Sequence, residues 1–167
     1  MKLVVRLVLL SMILACMTTS TNAAPPEVTG LSAVPFTEVQ IQDEFWAPRL
    51  ETNRENSLPH NIEWCEETGR IRNFDRAASL LDDEFEGQYY NDSDLYKVLE
   101  GASYSLAYHP DPELEQQLDA IIARIAAAQE EDGYLHTFHT VKLPEEKWTD
   151  MTNRHELYCA GHLLEAG

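Results

Sequence analysis

The stretch His155-Glu156-Leu157-Tyr158-Cys159-Ala160-Gly161-His162 carries His155, Cys159 and His162, side chains able to ligate a metal or bind a polar substrate. On a helix, His155 and Cys159 stand one turn apart. That is the relation by which the H-E-x-x-H helix of zinc proteases grips its ion, here with cysteine in place of the second histidine. His162 lies about 10.5 Å along the axis from His155 at the standard rise, too far for all three to share one tetrahedral centre. A third ligand would come from elsewhere; His136 and His139 qualify by type, and nothing in the spacing selects them. The same residues also suit two plainer readings, a polar histidine facing a cleft and a histidine packed in a helical core.

Asn91-Asp92-Ser93-Asp94 sets an amide and carboxylates at a helix start. Capping accounts for Asp92 or Ser93, and Asp94 in the first turn favours the helix dipole. Clustered polar groups at helix starts also line sugar clefts in helical barrels. Asp132-Gly133-Tyr134-Leu135 reads first as a turn, with Tyr134 as an alternative stacking platform for a sugar ring. A glycosidase needs two carboxyl groups about 5–9 Å apart. With 29 acidic residues present, spacing alone selects no such pair.

The elements that must carry these groups are mostly helical. Val39 to Gln42 alternates and predicts a short strand, and Phe45 and Trp46, before a proline stop at Pro48, are expected to anchor an arm onto the body. Leu58, Ile62 and Cys65 recur at helical spacing up to Gly69, and a less regular stretch runs on to Gly87. A second helix covers Leu95 to Ala107. A third is announced by Asp111 as cap, Pro112 at the first position and the stripe Leu114, Leu118, Ile121, Ile122, Ile125. Tyr134 to Val141 reads as extended or loop, and Asn153 can cap a last helix through HELYCAGHLLEAG. About four helices in antiparallel hairpins result, with no βαβ alternation and no Gly-rich phosphate loop. The last helix is strongly apolar up to Gly167, which reads either as a cap or as the edge of a body whose apolar faces await further helices.

Net charge is -17, which argues against a nucleic-acid partner because phosphate contacts need a basic surface. Lys2 and Arg6, the apolar run from Leu7 to Ala15 and the small residues up to Ala23 form a signal peptide over residues 1–23, followed by a linker or tail over 24–36. The expected address is therefore periplasmic or extracellular. Ile13-Leu14-Ala15-Cys16 also resembles a lipobox, and membrane attachment is expected only if Cys16 is lipidated. Cys65 and Cys159 remain after the signal, either as a disulfide or as buried free thiols.

Five blocks in order resemble a known family: Asp43-x-Phe45-Trp46-Ala47-Pro48-Arg49-Leu50, Thr68-Gly69-Arg70-Ile71-x-Asn73-Phe74, Asn91-Asp92-Ser93-Asp94-Leu95-Tyr96-Lys97, Asp132-Gly133-Tyr134-Leu135, and the histidine stretch above. Together they look like the N-terminal part of glycoside hydrolase family 127, the β-L-arabinofuranosidase family. The resemblance implies an all-α fold, a partial (α/α)6 barrel over residues 37–167 behind a short extended segment. It implies an oligosaccharide or glycan substrate, trimmed of terminal β-L-arabinofuranosyl units with retention. It also implies a zinc-bound cysteine nucleophile with a glutamate acid/base, whose Cys-Cys and Glu-x-Cys segments lie beyond the HELYCAGH block and have no counterpart here. No catalytic or metal-binding residue is therefore expected in this chain, and zinc is expected only in the full-length family. The chain is expected to be a truncated, inactive piece. By resemblance His155 sits in the substrate cleft, with Asn91 and Asp94 lining it; Cys159 and His162 are expected to pack. The alternatives are a secreted helical carbohydrate-binding or interaction module and another (α/α)6 sugar hydrolase.

Overall fold

The computed structural model describes residues 30–167. The expected signal peptide and Cys16 lie outside the described residues, as do residues 24–29 of the expected linker. Residues 30–35 belong to a separate unit, and everything below concerns the unit from Phe36 to Gly167.

The unit starts with one 3-10 turn, Phe36–Glu38. The strand expected at Val39 to Gln42 does not form, and no strand occurs among the described residues. An alternating segment needs a second strand to pair its N–H and C=O groups; here the Ile41 N–H donates instead to the Tyr108 hydroxyl at 3.3 Å. Asp43 then accepts the backbone N–H groups of Phe45 (2.8 Å), Trp46 and Ala47 (3.3 Å), opening helix α1, Ala47–Thr52. Pro48 therefore starts a helix rather than stopping the chain, as suits a residue lacking an N–H in a first turn. Phe45 and Trp46 are not the expected anchors. They are 53% and 57% exposed and pack edge-on against each other, with the Arg49 guanidinium over the Phe45 ring.

A single π-turn, Asn53–Ser57, passes α1 into α2, Leu58–Glu67. Gly69 ends α2 at φ +76; a side chain there would meet Glu86 Cβ at 2.7 Å. The remaining elements are α3, Arg72–Ala77; α4, Asp92–Tyr108; α5, Pro112–Ala127; α6, Thr137–Lys142; and α7, Glu156–Ala166. Helix α5 begins as its sequence dictates, the Asp111 carboxylate accepting the N–H groups of Glu113 and Leu114 at 3.1 Å. Helix α6 corrects the expectation of extended chain or loop. The other correction lies before α7. Asn153 spends its amide on the Asp150 carboxylate (3.0 and 3.1 Å), and His155 occupies the cap position instead.

Helix α4 is the spine. Its Leu95, Tyr96, Leu99 and Ala102 pack with Leu58, Ile62 and Cys65 of α2, Phe74 of α3, Leu118, Ile121 and Ile125 of α5, and Cys159 of α7. Each such side chain contributes roughly 1.5–3 kcal/mol by leaving water. Ile122, read as part of the α5 stripe, is 51% exposed and faces out.

Helix directions follow from contacts at the two ends. Near their starts, Lys97 Nζ of α4 donates to the Tyr158 hydroxyl of α7 at 2.8 Å. Near their ends, Ser103 and Tyr104 share one hollow with Glu165 and Ala166. Helices α4 and α7 thus run parallel, which the expected antiparallel hairpins did not include. Helix α5 returns beside α4 as its hairpin partner, and α2 also opposes α4. Leu58 at the start of α2 lies by Gly101, whereas Arg70 just past its end bonds Asp94 (2.9 Å). Arg124 near the end of α5 joins Glu66 of α2 (2.7 Å) and Asp75 of α3 (2.5 Å). Two parallel helices with antiparallel neighbours gather both their N-termini, and the loops before them, at one end.

Candidate functional site

That end carries the polar residues singled out in the sequence. Asn91 takes the cap position of α4 without a side-chain cap bond. Its amide packs on Gly87 (φ +91), where a Cβ would come within 2.0 Å of Asn91 Nδ2, so only glycine fits. Asn91 Oδ1 is buried with no hydrogen-bond partner among the described residues. Asp92 is also buried, and it is not a cap. It accepts the Thr137 N–H at 2.7 Å and the Thr137 hydroxyl at 2.5 Å, fastening α4 to α6. Burial pushes its carboxyl up to about 6, more than the two Thr137 bonds hold it down. Ser93 donates its hydroxyl to the Tyr90 carbonyl at 2.8 Å. Asp94 gives Oδ2 to Arg70 and keeps 34% of its side chain exposed.

His155 stands at the head of α7 with φ +59, the left-handed region that a residue with a side chain seldom enters. Its ring lies 5.2 Å from Tyr89, 5.8 Å from Tyr90 and 5.3 Å from Tyr158, centre to centre. Nδ1 is 3.2 Å from the Asn153 carbonyl, which can only accept, so Nδ1 is the donor and Nε2 of the neutral ring is left as an acceptor. Asn91, Asp94 and His155 therefore do belong to one end of the bundle, beside the aromatic rings of Tyr89, Tyr90 and Tyr158.

The other candidates resolve differently. Cys159 is buried in the core with Sγ 3.8 Å from the Tyr90 carbonyl, and burial pushes its thiol up to about 12. Cys65 is pushed up to about 11 for the same reason, and both cysteines are free thiols, which decides between the alternatives left open by the sequence. His162 packs edge-on against Tyr158 at 4.6 Å. His136 and His139 bring no third ligand to His155 and Cys159: their Nδ1 atoms face each other at 3.0 Å, and both rings are buried. Burial lowers His136 to about 4, with His139 adding to the effect, and burial lowers His139 as well. Among the described residues, no three histidine, cysteine or carboxylate side chains meet as a metal would require. Tyr134 is no exposed platform. It is 6% exposed and donates its hydroxyl to Glu156 at 2.5 Å.

Glu156 was missed as a site residue. It is 1% exposed, and its carboxylate accepts the Tyr134 hydroxyl and the Trp148 N–H (3.0 and 3.1 Å), with His139 Nε2 at 3.9 Å. The available signal was its place on the same helical face as Cys159 and Leu163, which marks a carboxylate pointing inward. This end of the bundle can thus offer hydroxyl-binding groups and ring faces, whereas both thiols are held protonated and enclosed.

Over 102 residues the chain is 46% identical to the non-reducing end beta-L-arabinofuranosidase of Bifidobacterium longum subsp. longum, a match covering 58% of this chain and 15% of that protein. The chain thus spans a minor part of the length of this curated relative. Among solved structures, a GH127 beta-L-arabinofuranosidase from Geobacillus stearothermophilus T6 superposes with a TM-score of 0.75 at 39% identity, over 77% of this chain and 21% of that one. The GH127 beta-arabinofuranosidase BT3674 gives 0.75 at 43% identity, over 80% and 22%. Residues 38–167 match the family described as "Beta-L-arabinofuranosidase, GH127 catalytic domain", and the chain belongs to that family.

Proposed function

We propose that residues 37–167 are the N-terminal part of a family 127 catalytic domain and form one wall of its sugar pocket, in a protein that removes terminal β-L-arabinofuranosyl units from glycans. His155, Asn91 and Asp94 are its substrate contacts. The observation that carries this reading is the setting of His155: a left-handed helix cap, ring among Tyr89, Tyr90 and Tyr158, with an acceptor nitrogen free for a sugar hydroxyl. Asp94 adds a half-exposed carboxylate, and Asn91 adds an amide that also seats the Gly87 loop carrying both tyrosines. The parallel pair α4 and α7, with α5 returning between them in sequence, supports the (α/α)6 arrangement, because repeating that step builds an inner ring of parallel helices. An exported location rests on residues 1–23 alone.

The zinc implied by the resemblance does not fit the residues described. A zinc-bound nucleophile is a thiolate with further ligands beside it, and Cys65 and Cys159 are enclosed in the core, with no cluster of three ligating side chains among the described residues. In this reading the chain binds and orients the sugar and supplies neither nucleophile nor acid/base. A complete protein carrying this segment should release L-arabinose from a β-L-arabinofuranoside. Cleavage of the α-anomer only, or of neither, would overturn the assignment.

A further inference from the structure

We infer that Glu156 is a positioning residue: its buried carboxylate latches the segment from Trp148 to His155 and thereby fixes where the His155 imidazole stands. The value of that placement rests on the sugar-pocket reading. Among the described residues only Ser79, Trp148 and His155 combine a side chain with a positive φ, and the last two, at +62 and +59, bracket this one segment. Left-handed backbone at such residues persists only where the surroundings enforce it. Glu156 touches both ends. It accepts the Trp148 N–H with both carboxylate oxygens, and it follows His155 directly in the chain. The Tyr134 hydroxyl, itself pinned edge-on to Trp148 at 5.2 Å, gives Glu156 its other close bond.

Apart from ring contacts with Tyr89, Tyr90 and Tyr158, the imidazole is held only through its own segment. Its side chain makes no cap bond, and its hydrogen bond goes to Asn153 inside the latched segment. Release of the Trp148 end would therefore let the ring leave Tyr89 and Tyr90. A buried carboxylate is costly unless its acceptors are used, and here several donor contacts converge on it. A glutamine offers one acceptor oxygen and turns an NH2 toward a donor.

The test uses a complete family 127 protein carrying this segment, with labelled histidine and backbone nitrogen. In Glu156→Gln, the Trp148 amide should exchange at least tenfold faster and the cross-peaks between the His155 and Tyr89 rings should vanish, while Leu95 and Leu99 amides in α4 keep their protection. Retention of both signals in a folded Glu156→Gln overturns the inference. So does a uniform loss of protection that includes α4, since that marks a structural role only. Should Glu156→Gln fail to fold, the same readouts on Tyr134→Phe decide with the same signs. Titration of the wild type with L-arabinose separates the two claims. If sugar leaves the His155 signals unmoved, the pocket reading falls, while the latch is judged by the exchange and cross-peak results alone.

Discussion

His155 combines a backbone demand with a proposed chemical role, so its substitution needs a control for each. Alanine at φ +59 is strained as well as lacking the ring, whereas asparagine tolerates the left-handed region. In a complete family 127 enzyme carrying this segment, His155→Ala and His155→Asn should each lower kcat/KM at least tenfold, about 1.4 kcal/mol of transition-state binding. An asparagine variant with unchanged kcat/KM would remove the imidazole from the pocket. The cysteines lead to a second expectation. A thiol pushed up to about 12 or about 11 is almost wholly protonated at neutral pH, and both lie in the core. The chain alone should therefore release no L-arabinose from a β-L-arabinofuranoside, with or without added zinc, in a reducing-sugar assay. Zinc-dependent release would contradict the placement of both thiols. His155, Asn91 and Asp94 could be singled out because each stands within a motif block. Glu156 was not, because its partners Tyr134 and Trp148 are 22 and 8 residues away and only the fold brings them together.

Helix α5 shows local signals and tertiary structure agreeing: Asp111 caps it, Pro112 opens it, and Leu118, Ile121 and Ile125 enter the core. Asp111→Ala should lose about 1 kcal/mol, seen as a melting temperature lower by a few degrees. The short helices α3 and α6 had no such local announcement. Arg76 bonds Asp83 and Glu86 beyond the end of α3, and Asp92 holds Thr137 at the start of α6, so distant partners stabilise both. The α4–α6 junction also makes a pH prediction. Going from about pH 6.5 down to about 4, the unfolded chain gains a proton on His136 that the folded chain refuses, so stability falls on acidification. Asp92 acts oppositely: between its ordinary 3.8 and about 6 the folded chain keeps a proton that the unfolded chain loses, so stability falls as pH rises. The two largely offset, and His139, also lowered, tips the balance toward acid sensitivity. Asp92→Asn removes the opposing member and should steepen the loss between about pH 6.5 and 4 by on the order of 1–3 kcal/mol. Urea midpoints across that range would show it; equal slopes in variant and wild type would refute it.

The assembled unit buries one side of α2, α5 and α7 on α4 and leaves a different apolar surface in water. On α7 the buried positions are Glu156 and Cys159, while Leu157 is 54% and Leu164 82% exposed, aligned on one outward face with Gly161 between them. Trp148 and Met151, 49% and 51% exposed, add apolar area from the preceding segment. The strongly apolar composition of the last helix was visible in the sequence. Which half of it would face inward was not, because polar Glu156 takes an interior position and leucines take exterior ones. Water-exposed leucines two turns apart on one face favour burial against another surface. The isolated chain should therefore associate as its concentration rises and melt with poor cooperativity. Leu164→Glu, which charges that face without touching the core, should return it to a monomer in sedimentation velocity while leaving the helix signal in circular dichroism intact. A wild-type chain that stays monomeric and melts in one sharp transition would instead favour a self-sufficient helical module. The pocket wall proposed for His155, Asn91 and Asp94 would then have to serve binding alone, with no barrel completed around it.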